Sequence, residues 1–352
     1  MDKKIGFAVI GFGGMGQFHA RQAAKLDALE WIGAYDILPA KTADLPTTLG
    51  GTAYSSREAL LADPRVELVT VATPNEVHAE IVIAALEAGK HVICEKPVAM
   101  NSAELEAMIA AATRAGKLFT VHQNRRWDGD YLIMKNVFDA GTLGPVFSIE
   151  SRVHGSRGIP GDWRSQPAHG GGMVYDWGIH ILDQALMMTR PRQLVSLHAQ
   201  LFHVTSTACD DGFRAVLTFD DGLTYLAEVS TSNFIALPRW YMLGINGSAV
   251  IHDWSCKGEI VKVSDWENRD AVPIQAGAGL TKTMAPRTQE TIQSFPLPEV
   301  PSDWKAFYQN IAACIRRGAP ALVTHDQQRR LMKVIEAVFQ SGQTGEVVRV
   351  NL

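Results

Sequence analysis

The chain has 352 residues, 46% of them apolar, a size that suits two domains of ~150 residues with full-sized cores. Its 33 basic and 37 acidic side chains leave a net charge of −4 with no long run of one sign, which argues against nucleic acid or an anionic membrane surface and for a small molecule as partner. No apolar stretch approaches the ~18 residues of a membrane span and no signal-peptide pattern opens the chain, so a cytoplasmic protein is expected.

In chain order, Ile5–Ile10 is an apolar run that ends in Gly11-Phe12-Gly13-Gly14-Met15-Gly16. A helix-forming stretch follows to Leu26, and a second apolar run, Leu29–Tyr35, ends at Asp36. This strand–glycine turn–helix–strand–acid unit has the spacing of a dinucleotide site. The glycines make the tight turn, let backbone approach a pyrophosphate and allow the helix to pack on the strand. The free N–H groups of the helix start then face the phosphates. Asp36 lies 20 residues after Gly16, where a carboxylate holds the ribose hydroxyls and repels a 2′-phosphate. No Lys or Arg follows until Lys41, so NAD is expected ahead of NADP.

The alternation continues. Ser55 and Glu58 read as a capping box before a short helix. Val66–Ala72 reads as a buried strand, Ile81–Ala88 as a helix, His91–Cys94 as a strand, Ser102–Ala115 as a helix and Leu118–His122 as a strand. Strands alternating with helices predict a doubly wound parallel sheet over residues 1–124, with ligands beyond the strand carboxyl ends. Thr73, Pro74 and Asn75, then Glu95, Lys96 and Pro97, then Gln123 to Arg126, stand at those ends. With His78, they complete the expected cofactor border: Thr73, Pro74, Asn75, His78, Glu95, Lys96 and Gln123. A lysine fixed at that edge can stabilise a developing alkoxide.

From residue 125 to 352 the pattern changes. Phe213–Phe219 and Leu223–Val229 alternate around Asp220-Asp221-Gly222, and Tyr241–Ile245 and Ser248–Ile251 flank Asn246-Gly247. These are hairpins of an antiparallel sheet. Such a sheet, with one face uncovered, would expose a broad apolar surface for a symmetric dimer or tetramer. Residues 265–301 read as long surface connections. Two closing helices follow, one with a stripe of Trp304, Phe307, Tyr308, Ile311 and Ile315, the other of Leu331, Val334, Ile335 and Val338. Cys94, Cys209, Cys256 and Cys314 have neither disulfide nor zinc spacing.

The chemically distinctive segment is Gly170–Asp183. Three glycines precede a helical pattern in which Asp176 and His180, i and i+4, would share a face, so that a carboxylate orients an imidazole general base. His180 and Asp183 could also ligate a metal, but no third ligand stands at suitable spacing, and no metal is expected. Tyr175, Trp177 and Trp163 could stack on a sugar face or simply pack.

These motifs resemble the Gfo/Idh/MocA oxidoreductase family, which includes glucose–fructose oxidoreductase and inositol dehydrogenase. The resemblance runs through Gly11–Gly16, Glu95-Lys96-Pro97, Asp162-Trp163-Arg164, Gly170–Asp183 and the closing Val334-Ile335-Glu336-Ala337 with Ser341-Gly342-Gln343-Thr344-Gly345. It implies a Rossmann domain followed by an open, mainly antiparallel sheet domain that often forms the oligomer interface. It implies hydride transfer between a nicotinamide cofactor and a sugar, polyol or inositol-like ring. It also implies that Lys96, Asp176 and His180 meet at the nicotinamide, with Arg126, Trp163, Arg164 and Tyr175 as further substrate contacts. Two alternatives stand beside that reading: a tightly held NAD recycled during bond cleavage or epimerisation, and a non-catalytic NAD-binding sensor. The acid–base set speaks against the sensor.

Overall fold

Every residue of Ile5–Ile10 is buried, as a central strand covered on both faces requires. In the computed structural model, which describes residues 3–268 and 272–352, this strand is β1. It joins β2 (Leu29–Tyr35), β3 (Thr52–Ala53), β4 (Leu68–Val71), β5 (His91–Cys94) and β6 (Phe119–Val121) in one parallel sheet, ordered β3-β2-β1-β4-β5-β6. Helices α1 (Gly14–Ala23), α2 (Leu45–Thr48), α3 (Arg57–Ala62), α4 (His78–Glu87) and α5 (Ser102–Ala115) make the connections. The strand order reverses between β1 and β4, which opens a crevice at their carboxyl ends. Helix α3 is capped by Ser56, which accepts the Ala59 N–H at 3.0 Å, in place of the box expected from Ser55 and Glu58.

Helix α6 (Gly129–Asp139) leads to the second sheet. Its strands are β7 (Val146–His154), β8 (Leu194–Phe202), β9 (Gly212–Phe219), β10 (Thr224–Ser230), β11 (Trp240–Gly244), β12 (Gly247–Ile251) and β13 (Gly258–Val263). A small ribbon of β14 (Ile274–Ala276) and β15 (Gly279–Thr281) stands apart, and β16 (Ile292–Pro296) and β17 (Val348–Arg349) form the sheet's two edges. Among the described residues the order is β16-β13-β12-β11-β7-β10-β9-β8-β17, antiparallel except where β7 runs parallel to β10. Both expected hairpins form, β9–β10 around Gly222 at φ +87° and β11–β12 around Asn246-Gly247. Within 265–301, read as surface connections, the structure places β16 as a full edge strand paired with β13. Its side chains are half-buried or exposed and show no apolar alternation, so periodicity could not reveal it. Residues 269–271 of that stretch lie outside the described residues.

Ile149, Val153, Ala215, Leu217, Tyr225 and Ala227 turn one sheet face toward α7 (Ile179–Met188) and α9 (His325–Thr344), forming the second core. The opposite face is not the broad apolar surface expected. Glu228 lies at its centre, accepting from Arg214 Nε at 3.0 Å and bonded to His154 at 3.1 Å, with Arg152 bridging to Glu150. Alternation along β7, β9 and β10 puts these charged groups on the face opposite the core, where they pair with one another. Helix α8 (Lys305–Arg317) departs from the second sheet: Phe307, Tyr308 and Ile311 are buried in the first core. Helix α9 serves both, with Met332 in the first core and Leu331, Val334, Ile335 and Val338 in the second. No helix of the described residues is long and apolar enough to cross a membrane.

Arg126, expected at the substrate, is a structural fastener between these elements. It is 8% exposed and makes a two-pronged pair with Asp183 of α7, Nε–Oδ2 2.7 Å and Nη2–Oδ1 2.6 Å. Its Nη1 donates to Gln327 of α9 at 2.7 Å and to the Leu322 carbonyl at 3.3 Å. Arg126→Ala would strand a buried carboxylate and should cost about 3–5 kcal/mol in denaturant unfolding. The pair change Arg126→Met with Asp183→Leu should recover most of that loss. A single variant of wild-type stability would show that Asp183 does not depend on Arg126.

Candidate functional site

The glycine turn is shaped by contact. Gly11 holds φ +90°, and a Cβ there would meet the Ala72 carbonyl at 2.5 Å; a Cβ on Gly16 would meet the Gly11 carbonyl at 2.0 Å. Gly13 and Gly14, by contrast, have open space where a Cβ would stand. Helix α1 begins at Gly14 with no side-chain cap, so its first N–H groups are offered outward. This is the fit a dinucleotide pyrophosphate needs: close packing behind the loop, free volume and bare donors in front. Phe12 and Met15 differ from each other. The Phe12 ring is buried and stacks on Trp31 at 6.3 Å, whereas Met15 is exposed at the loop's outer side. The Phe12 N–H donates to Asp36 Oδ2 at 2.7 Å and the Leu38 N–H to Oδ1 at 2.9 Å. Asp36 thus braces the glycine turn. Lys41 Nζ is 3.5 Å from the same carboxylate.

The other expected cofactor residues surround the crevice in different ways. Asn75 Nδ2 donates to the Gly170 carbonyl at 3.1 Å, tying the first domain to the glycine run of the second. Thr73 Oγ1 is buried with no partner among the described residues, beside Pro74 at the end of β4. His78 is fully buried, its ring nitrogens 3.0 Å from the Thr73 carbonyl and 2.9 Å from the Pro97 carbonyl. Burial lowers its pKa, and its contacts are with backbone, so the expected exposure to cofactor is not met. Gln123 Nε2 donates to Gln328 of α9 at 3.1 Å.

Glu95 is buried under Lys96. Its Oε1 accepts from His19 Nε2 at 2.8 Å and His122 Nδ1 at 2.7 Å, and its Oε2 takes the Lys96 N–H at 3.1 Å. Tyr308 of α8 closes the cluster on His19 Nδ1 at 2.9 Å. Burial would raise the Glu95 carboxyl, but the two imidazoles outweigh it and hold the group well below the usual carboxylate range. Both imidazoles converge on one oxygen at hydrogen-bond distance, whereas ligands of a tetrahedral zinc would stand about 3.3 Å apart.

Lys96 reaches across the crevice. Its Nζ donates to the Asp176 carbonyl at 3.0 Å and to Asp176 Oδ1 at 3.3 Å. Asp176 Oδ2 accepts from Arg164 Nε at 3.2 Å. The expected Asp176–His180 bond is absent, because Val174–Gly178 is a π-helical turn and α7 proper starts only at Ile179. The wider turn rotates the i and i+4 positions apart. His180 is 4% exposed; its Nδ1 is buried with no partner among the described residues, and its ring meets Trp177 edge-on at 5.9 Å. Burial, then the charges of Lys96 and Arg125, push its pKa well below the ordinary histidine value, so the ring is held neutral.

A cavity of about 420 Å³ opens here, lined by Arg125, His154, Asp176, Trp177, Thr231 and Trp254 among others. Arg125, the neighbour of the residue expected, lies over Trp177 at 4.1 Å and pairs with Asp128 at 2.8 Å. Tyr175 does not offer its face to a sugar: its hydroxyl donates to the Met100 carbonyl at 2.8 Å and its ring packs on Phe339. Trp163 lies under the Arg164 guanidinium at 4.5 Å, in a turn capped by Asp162. Trp254, His154, His19 and His122 were not singled out by sequence. Trp254, His154 and His122 each sit at a strand end or turn, and His19 lies within α1, with no local pattern to mark any of them. Arg125 had one signal, adjacency to Arg126 at a strand end, but the parity that sends one inward and one outward is set by the turn Asn124–Trp127.

Comparison with known proteins agrees with this geometry. Residues 5–123 match the oxidoreductase family with an NAD-binding Rossmann fold, and residues 131–250 match the GFO/IDH/MocA C-terminal domain. The crystal structure of an NAD-binding protein from Listeria innocua is 45% identical, with a TM-score of 0.94, covering 99% of this chain and 100% of that one. An uncharacterized oxidoreductase of Schizosaccharomyces pombe is 30% identical over 85% of each chain. A scyllo-inositol 2-dehydrogenase (NADP(+)) of Bacillus subtilis is 27% identical over 99% of this chain and 96% of its own. With both domains matched, the chain belongs to the GFO/IDH/MocA oxidoreductase family and is an NAD(P)-dependent oxidoreductase.

Proposed function

We propose that the protein oxidises a secondary hydroxyl, or reduces the corresponding carbonyl, on a sugar, polyol or inositol-like ring. The observation that carries this reading is the contact of Lys96, from the end of β5, with Asp176 of the second domain, which lines a cavity large enough for such a ring; His180 lies near enough for the Lys96 charge to act on it. Bound NAD supplies the hydride acceptor or donor. Lys96 Nζ holds the reacting oxygen and stabilises its negative charge as the C–H bond breaks. His180, neutral and buried, accepts the hydroxyl proton. Asp176 keeps Lys96 directed into the crevice, and Arg164 limits how far that carboxylate can swing. Arg125, with Trp177 and Trp254, forms the wall against which the rest of the ring lies. The inositol 2-dehydrogenase relative supports a cyclitol in particular. A panel of myo-inositol, scyllo-inositol, hexoses and pentitols, followed by nicotinamide absorbance, tests this; no reduction or oxidation with any member would overturn it.

Lys96→Ala and His180→Ala should each lower kcat by about 10²–10⁴-fold while leaving NAD affinity nearly unchanged. Asp176→Asn should cost less, since Lys96 also bonds the Asp176 carbonyl. Near-normal turnover in a well-folded variant would remove that residue from the mechanism.

The wild type should prefer NAD to NADP, unlike the scyllo-inositol enzyme, and Asp36→Ser should shift kcat/KM toward NADP by about tenfold, equivalent to ~1.4 kcal/mol. Lys41 is already in place to meet a phosphate once the carboxylate is gone. Equal use of both cofactors by the wild type would overturn this role for Asp36. We also infer a homodimer or homotetramer through the open sheet of the second domain, whose outer face offers the Glu228 ion-pair network in place of a broad apolar patch. Light scattering at micromolar concentration should return a multiple of the chain mass, and a monomer would refute it.

A further inference from the structure

The helix that carries Asp176 and His180 begins without help from its own sequence. Met173, at its N-cap, makes no side-chain bond, and Gly172 before it holds φ +105°. The anchor comes from Asp210, 36 residues further on. Asp210 Oδ2 accepts the Val174 N–H at 2.8 Å, and its carbonyl accepts the Met173 N–H at 3.0 Å. A Cβ on Gly172 would lie 2.1 Å from Asp210 Oδ1, so glycine and carboxylate are fitted to one another. The following residue holds the facing wall: the Asp211 carbonyl accepts the Thr231 hydroxyl at 2.8 Å and the Thr231 N–H at 3.2 Å, and Thr231 lines the cavity. One short loop therefore grips both the start of the catalytic helix and the opposite side of the pocket.

We propose that Asp210 is a positioning residue whose carboxylate fixes the first turn of that helix and thereby sets where Asp176 meets Lys96 at the cavity wall and where His180 stands behind it. This rests on the acid–base reading of those residues. Burial pushes the Asp210 carboxyl up to about 7, against the amide bonds that favour its charge. The titratable groups around it are His203 after β8, Cys209 and Asp211 on its own loop, and Tyr175 on the π-helical turn. A carboxyl whose folded value lies above its unfolded value contributes stability below about pH 4 and loses it as pH rises through about 7. Holding this charge at working pH therefore costs stability, which an ordinary packing residue would not do.

The test uses full-length, NAD-loaded protein with Asp210→Asn and Asp210→Ala. Amide exchange protection is measured over 172–180, with melting at pH 5 and 8, and pH profiles of kcat/KM on the best polyol of the panel. The asparagine variant should melt higher than wild type at pH 8 but not at pH 5, keep wild-type protection, and lose an inflection near pH 7 that the wild type shows. The alanine variant should lose protection at Val174–Asp176 by about tenfold or more and lose kcat with little change in KM for NAD. Wild-type protection in the alanine variant, or an inflection that survives in the asparagine variant, overturns the proposal. If the wild type turns over no polyol, the catalytic reading fails, and the exchange measurement still decides whether Asp210 holds the helix.

Discussion

The contact from Lys96 Nζ to the backbone and side chain of Asp176 is the constraint around which the rest is arranged. It spans the crevice between a parallel sheet and a second domain built on a separate core. For that contact to recur reliably, both ends must be fixed to well under an ångström. Glu95 fixes one end by holding the Lys96 N–H, and is itself pinned by His19 of α1, His122 after β6 and Tyr308 of α8. The other end is fixed by the π-helical turn, the Asp210 cap and the Asn75–Gly170 tie.

Charge in the crevice is apportioned rather than neutralised pair by pair. Glu95 stays ionised because two imidazoles face it; His180, a few residues from a carboxylate in sequence, is kept uncharged because burial and two cations face it. The Asp176 carboxylate, four residues before His180, is turned instead onto Lys96 and Arg164.

Much of this was legible in residue order. The Gly11–Gly16 turn with Asp36, the alternation of strands and helices, and the Asn246-Gly247 hairpin are local patterns whose physics acts within a few residues, and they appear where spacing placed them. What was not legible depends on partners distant in sequence. Arg126 reads as a substrate contact until Asp183 and Gln327 close on it. Tyr175 reads as a sugar platform until the Met100 carbonyl claims its hydroxyl. Asp176 and His180 part company through one widened turn that the spacing alone cannot announce. Strand β16 pairs through backbone with little side-chain burial, so its sequence carries almost no signature.

Helix α8 carries a consequence for how the chain is made. The first domain's sheet is complete at Val121, yet the side chains of Phe307, Tyr308 and Ile311 that finish its core begin about 180 residues later. Arg316 then bonds Glu67 and the Lys3 and Lys4 carbonyls, fastening the far end of that helix to the start of β1. At ribosomal rates of ~5–20 residues per second, the nascent dinucleotide domain waits on the order of 10–40 s with an apolar strip uncovered. During that interval the unfinished surface is open to chaperones, and the domain acquires its last wall only after all but the final strand of the second sheet has been synthesised.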